Sequence, residues 1–124
     1  MISKIDDLQL NYKIWLETGK HIGILGDKKC DLLRAIDETG SLSDAMKKLG
    51  LTYRKTWDNL RKIERELGFP LIIPTRGGAD GGNTKLTLEA RIIIAAFEKF
   101  HTEYDSVIQK GFESILSGLK QKIK

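Results

Sequence analysis

The 124-residue sequence predicts an α+β fold on three observations. Two helical patterns, beginning at Ser41 and Thr52, follow each other across only Gly50 and Leu51. Two short β-favouring runs, LIIPT and TKLTL, flank the glycine stretch in RGGADGGNTKLT, residues 76–87, where Gly77, Gly78, Gly81 and Gly82 come in pairs. Apolar residues then recur at helical spacing from Ile93 to Leu119. With an alternating segment and one helix ahead of them, the order is β-hairpin, helix, helix-turn-helix, two-stranded wing, long helix. That is a single winged helix-turn-helix domain with an N-terminal β-hairpin and a long C-terminal helix.

The hairpin is expected over residues 8–25. LNYKIWLETGKHIGIL places Leu10, Tyr12, Ile14 and Leu16 on one face and restarts after Thr18 and Gly19 with Ile22, Ile24 and Leu25. Gly26 breaks the alternation, and Asp27 is positioned to cap a helix over residues 28–38 that carries Leu32, Leu33 and Ile36 and stops at Gly40. Residues 28–67 are read as three helices, the last two forming a helix-turn-helix over 41–67. Ser41 caps the second, with Asp44 three residues on and Ala45, Met46 and Leu49 on its apolar face, and Gly50 ends it. Thr52 caps the third, which runs to Leu67 ahead of Gly68 and Pro70. The wing spans 71–87. Thr87 caps the last helix, expected over 88–116, with Gly111 and Gly118 weakening its end and the tail fraying.

Composition narrows the class. With 40% hydrophobic and 31% charged residues the chain is ordinary for a globular protein. MISKIDDLQL lacks a signal-peptide core, the longest apolar run (Ile92 to Phe97) is too short to span a bilayer, and the single cysteine, Cys30, cannot form an internal disulfide. A cytoplasmic location without membrane contact is expected. The net charge of +4 is unevenly placed: residues 41–76 hold eight basic and four acidic side chains, and the rest of the chain holds 13 of each. A polyanionic partner, double-stranded DNA, is expected to meet that segment.

On a helical wheel Tyr53, Trp57, Leu60 and Leu67 fall together as the core face of the third helix, and Arg54, Lys55, Asp58, Arg61, Lys62 and Arg65 fill an arc of roughly 120 degrees on the outside. In a helix-turn-helix the second helix enters the major groove with its N-terminal residues at the base edges. Thr52, Tyr53, Arg54 and Lys55 are therefore the base-contact candidates, Arg54 suiting a bidentate pair with guanine. Tyr53 is ambiguous between core and a phosphate contact through its hydroxyl. Ser41 and Ser43, at the start of the preceding helix, are placed to donate to phosphate. Asn59, Lys62, Arg76 and Lys85 complete the candidate DNA-binding set.

The glycine stretch has three readings. A phosphate-binding loop fails because Asn83 stands where the pattern after Gly82 requires lysine. A flexible linker is disfavoured by the β-favouring flanks, which leaves a hairpin tip. Residues 38–87, with TGS ahead of a short Ala-containing helix, LTYRKTWD, and a wing of form T-x-G-G-x-x-G-G followed by Leu-Thr, resemble the N-terminal DNA-binding domain of ModE-type molybdate-responsive transcriptional regulators, distantly similar to the LysR-type winged helix. The resemblance implies DNA binding and a homodimer built by residues 8–25, 28–38 and 88–116, the last as a dimerisation helix. It departs at Ala79 and Asp80, where the family's wing carries lysine. The chain is expected to be a stand-alone domain without the oxyanion-binding region, so molybdate binding is not expected, nor any cofactor.

Two other classes compete. A winged helix turned protein-interaction scaffold, recruiting partners through the long helix, is the alternative. An enzyme is disfavoured: His21 and His101 lie in unrelated elements without metal-ligand spacing, no nucleophile with a partnered base is legible, and no catalytic or metal site is assigned.

Overall fold

The computed structural model describes residues 4–75 and 83–123. It divides into two units, Ile14–Phe97, and a smaller one made of Met1–Lys13 with Glu98–Lys124.

The larger unit opens with a hairpin of β1 (Trp15–Glu17) and β2 (Gly23–Gly26), antiparallel with Trp15 opposite Gly26. The expected hairpin over 8–25 is thus shortened to its tip. Pairing Trp15 with Gly26 leaves earlier residues no strand to pair with, because the chain beyond Gly26 is already helical. Glycine is required at 26, since a Cβ there would lie 2.8 Å from Trp15 Cβ and 2.9 Å from the Ile14 carbonyl oxygen. Helix α1 (Asp27–Thr39) follows, with Gly26, not Asp27, at its N-cap position. Asp27 turns back to the hairpin instead, its Oδ2 accepting from the Ile14 N–H at 3.2 Å.

Helix α2 (Leu42–Leu49) is capped as expected, Ser41 Oγ accepting from the Asp44 N–H at 3.1 Å. Gly50 takes φ +68, and the Leu51 N–H closes the turn on the Met46 carbonyl at 2.9 Å. Helix α3 (Tyr53–Leu67) starts at once. Strands β3 (Ile72–Thr75) and β4 (Asn83–Leu86) then pair antiparallel, with Ile73 opposite Lys85 and Pro74 opposite Thr84. One apolar core joins these elements: Leu32, Leu33 and Ile36 of α1, Ala45 and Met46 of α2, Leu60 and Ile63 of α3, Ile72 and Leu86 of the wing strands, and Ala90. Burial of this set, worth roughly 25 cal/mol per Å² of apolar surface, holds the helices and the wing stem together.

Helix α4 runs from Leu88 to Ile123, past the expected end at 116. Thr87 Oγ1 caps it by accepting from the Ala90 N–H at 3.1 Å. Gly111 and Gly118 each cost about 1 kcal/mol relative to alanine, but neither removes a backbone donor as proline would, so the helix continues through both. In the smaller unit, a single 3₁₀ turn at Ile5–Asp7 lies ahead of Tyr12. There the Tyr12 hydroxyl is 3.3 Å from His101 Nδ1, His101 pairs with Asp105 at 2.7 Å, and Lys120 pairs with Asp6 at 2.8 Å.

Candidate nucleic-acid interface

Helix α3 buries Thr56, Leu60, Ile63 and Glu64. That face is rotated from the one the wheel assigned. Tyr53 is 57% exposed, and Trp57 and Leu67 are only partly buried. Tyr53 stands in the first turn, ahead of Thr56, the first buried residue of α3, and stacks with the partly buried Trp57, ring centroids 6.3 Å apart and planes 6° from parallel. Its wheel angle is apolar, but its position along the axis puts it in solvent. That resolves the ambiguity in favour of an outward-facing ring.

The opposite face presents Arg54, Lys55, Lys62 and Arg65, all exposed. Arg54, with 92% of its side chain exposed, is 3.7 Å from Asp58, an exposed pair of little energetic worth. The guanidinium is thus free to exchange that carboxylate for another acceptor. Thr52 holds the N-cap position in extended geometry, but its side chain makes no capping hydrogen bond, contrary to the expected cap. Asn59 is exposed, and its Oδ1 accepts from the Lys29 ammonium, which reaches across from α1. Burial lowers the Lys29 pKa from the ordinary lysine value.

Ser41 and Ser43 part company. Ser43 is exposed in the first turn of α2, whereas Ser41 is buried and its Oγ is committed to the cap. Ser41 therefore sets the start of α2 and is withdrawn from the phosphate-contacting set, because the residue is only 7% exposed and its Oγ already accepts from the Asp44 N–H. Lys85 is exposed on β4. Arg76, Asp80 and the four glycines of the wing tip lie outside the described residues.

Two polar residues absent from the candidate set organise this surface. Glu64 is buried, its Oε1 paired with Arg61 at 2.8 Å and its Oε2 accepting from the N–H groups of Leu71 at 2.7 Å and Ile72 at 3.2 Å. Arg61 in turn lies 4.3 Å over the Trp57 ring, so it is engaged along the helix flank and does not stand free in the outer arc. Thr84, buried on β4, donates its N–H to the Gly40 carbonyl at 2.8 Å and accepts at Oγ1 from the Leu42 N–H at 3.3 Å. The alternation of Thr84 and Leu86 with Asn83 and Lys85 was a readable signal for an inward Thr84. A glutamate on a charged helix gave no such signal.

A family profile described as "Bacterial regulatory helix-turn-helix protein, lysR family" matches residues 28–91, from the start of α1 into α4. The chain belongs to this family. Within the lysR family match lie the whole helix-turn-helix and both wing strands. Over 91 residues the chain is 34% identical to "Molybdenum transport protein ModE" of Azotobacter vinelandii, an alignment covering 73% of this chain and 34% of that protein. It is 31% identical over 71 residues to "Transcriptional regulator ModE" of Haemophilus influenzae, covering 57% of this chain and 28% of that protein. The matched part therefore spans about a third of these curated relatives. In the solved structure "Crystal structure of CbnR_DBD-DNA complex" a chain superposes with a TM-score of 0.49 at 18% identity, over 73% of this chain and 95% of that one. The family match establishes the regulatory helix-turn-helix family, the order of helices and paired strands is that of an α+β winged helix-turn-helix, and ModE proteins are relatives. No helix among the described residues is long and apolar enough to cross a membrane, and none of their His, Cys, Asp and Glu side chains form a group that could hold a metal ion.

Proposed function

We propose that the chain is a sequence-specific regulator that binds double-stranded DNA as a homodimer, with α3 in the major groove and the β3–β4 wing following the flanking backbone. The observation that carries this reading is the division of α3 into a buried face and an exposed cationic one, with Arg54 and Lys55 in its first turn directly after the α2–α3 turn. In that geometry Thr52, Tyr53, Arg54 and Lys55 meet base edges or the adjoining phosphates. Ser43, Asn59, Lys62 and Lys85 neutralise or hydrogen-bond the backbone, and Arg76 joins them on sequence grounds. Two copies present two such surfaces, matching a two-fold symmetric operator. Nothing in this reading calls for molybdate, a cofactor or catalysis by this chain.

Selection of bound sites from random duplex DNA tests it. The expected product is an inverted repeat with half-sites about one helical turn, or a multiple of it, apart. Affinity for that site is expected to fall steeply between about 50 and 200 mM salt as counterions are released. A chain that enriches no sequence, and whose partners bind with little salt dependence, would instead be a protein-interaction scaffold.

A further inference from the structure

A two-stranded hairpin is at best marginally stable in isolation. The direction in which the wing stem points therefore depends on what anchors its strands to the helices. The structure supplies one buried polar anchor for each strand. Glu64 of α3 takes the two N–H groups at the start of β3, and Thr84 of β4 takes the Leu42 N–H at the start of α2 while giving its own N–H to Gly40. Burying a carboxylate is costly unless its oxygens are satisfied, and Glu64 meets that cost with three donors, one of them the Arg61 guanidinium. A side chain kept only to fill core volume needs no such arrangement; leucine would serve. From Glu64 the contacts continue along α3 to Arg61, Trp57 and Tyr53, which ends in solvent beside Arg54.

The geometry points to Glu64 and Thr84 as positioning residues that lock the β3–β4 stem to α2 and α3, so that Lys85 and the first turn of α3 meet DNA as one rigid surface. This rests on the DNA-binding reading above. Neither residue touches nucleic acid in this scheme. Each acts by fixing where Lys85 stands relative to Arg54.

A double-mutant cycle on the full chain tests it, with affinity for the selected duplex measured at fixed salt and folding checked by thermal melting. Lys85→Ala weakens binding in the wild-type background. In the Glu64→Gln background, where the single amide oxygen cannot serve both the Arg61 guanidinium and the Leu71 and Ile72 N–H groups, the same Lys85→Ala substitution is expected to cost less, a coupling between about twofold and thirtyfold. Thr84→Val, which keeps the shape and loses the hydroxyl that accepts from the Leu42 N–H, provides the second background should Glu64→Gln not fold. Thr84→Ser is expected to restore wild-type behaviour. An equal Lys85→Ala penalty in all backgrounds, with melting temperature alone reduced, would show that the anchors only stabilise the fold and would overturn the proposal. So would a Lys85→Ala variant that binds as tightly as wild type. A wild-type chain that fails to bind any duplex is a different failure, that of the DNA-binding reading itself.

Discussion

Arg54 and Lys62 both project from the outer face of α3, yet eight residues separate them, about 12 Å along the helix axis. In a groove-bound helix that distance divides base edges from flanking phosphates. Arg54→Ala is therefore expected to cost about 1 to 3 kcal/mol on the preferred site and to relax discrimination at one base pair. Lys62→Ala is expected to weaken all sequences alike and to lower the salt slope by about one. Competition binding against single-base variants of the selected site measures both, and an Arg54→Ala protein with undiminished discrimination would remove Arg54 from the base-reading set. At this scale the sequence revealed the cations and the Ser41 and Thr87 caps but not engagement. Arg61 sits in the same charged arc as Arg54, and only Glu64 beneath it and the Trp57 ring beside it distinguish the two. Tyr53 eluded the wheel for a related reason: an angle says which side a residue faces, not whether the core extends as far as its turn.

Both helices of the helix-turn-helix begin after a hydroxyl residue, but only one uses it. Ser41 caps α2 through Oγ, whereas α3 starts without a side-chain cap from Thr52. The stronger capper aspartate at position 52 is expected to stabilise the fold by about 0.5 to 1 kcal/mol, through a hydrogen bond to the first-turn N–H groups and a favourable interaction with the helix dipole. The same carboxylate would stand where α3 approaches phosphate, so Thr52→Asp is expected to raise the melting temperature while weakening DNA binding. A variant that gains stability and binds DNA as well as wild type would mean that this end of α3 does not face the backbone. The C-terminal ends of α1, α2 and α3 were legible because a glycine, Gly40, Gly50 or Gly68, follows each of them and takes left-handed geometry. The hairpin was less legible, since alternation over residues 10–16 records a preference for extended chain and not the presence of a partner. The end of α4 was misjudged because two glycines resemble a stop signal in sequence but weaken a helix without ending it.

For the whole molecule, the proposed dimer has to explain the apolar surface that one chain leaves uncovered on α4. Tyr104, Val107 and Ile115 recur at spacings of three and eight, which places them on one face, and they are 46%, 60% and 60% exposed. Gly111 lies on the same face between them, and a Cβ there would meet nothing within 4 Å. Phe112 and Leu116, by contrast, are partly buried. Side chains of this kind, repeated along one face, fit a second copy of the same helix, and in a two-fold interface each substitution acts twice. Val107→Asp and Ile115→Asp, singly and together, are expected to shift the chain from dimer to monomer in sedimentation equilibrium while leaving the core of the Ile14–Phe97 unit intact. DNA binding gives the second readout. Linking two half-site contacts multiplies affinity by about 10² to 10⁴, so the monomeric variants should lose about a hundredfold or more on the inverted repeat and keep wild-type affinity for an isolated half-site. If they lose both equally, the substitutions have damaged the reading surface itself. If they sediment as the wild type does, the copies meet elsewhere, with the exposed Trp15 and Leu16 of β1 the next surface to substitute.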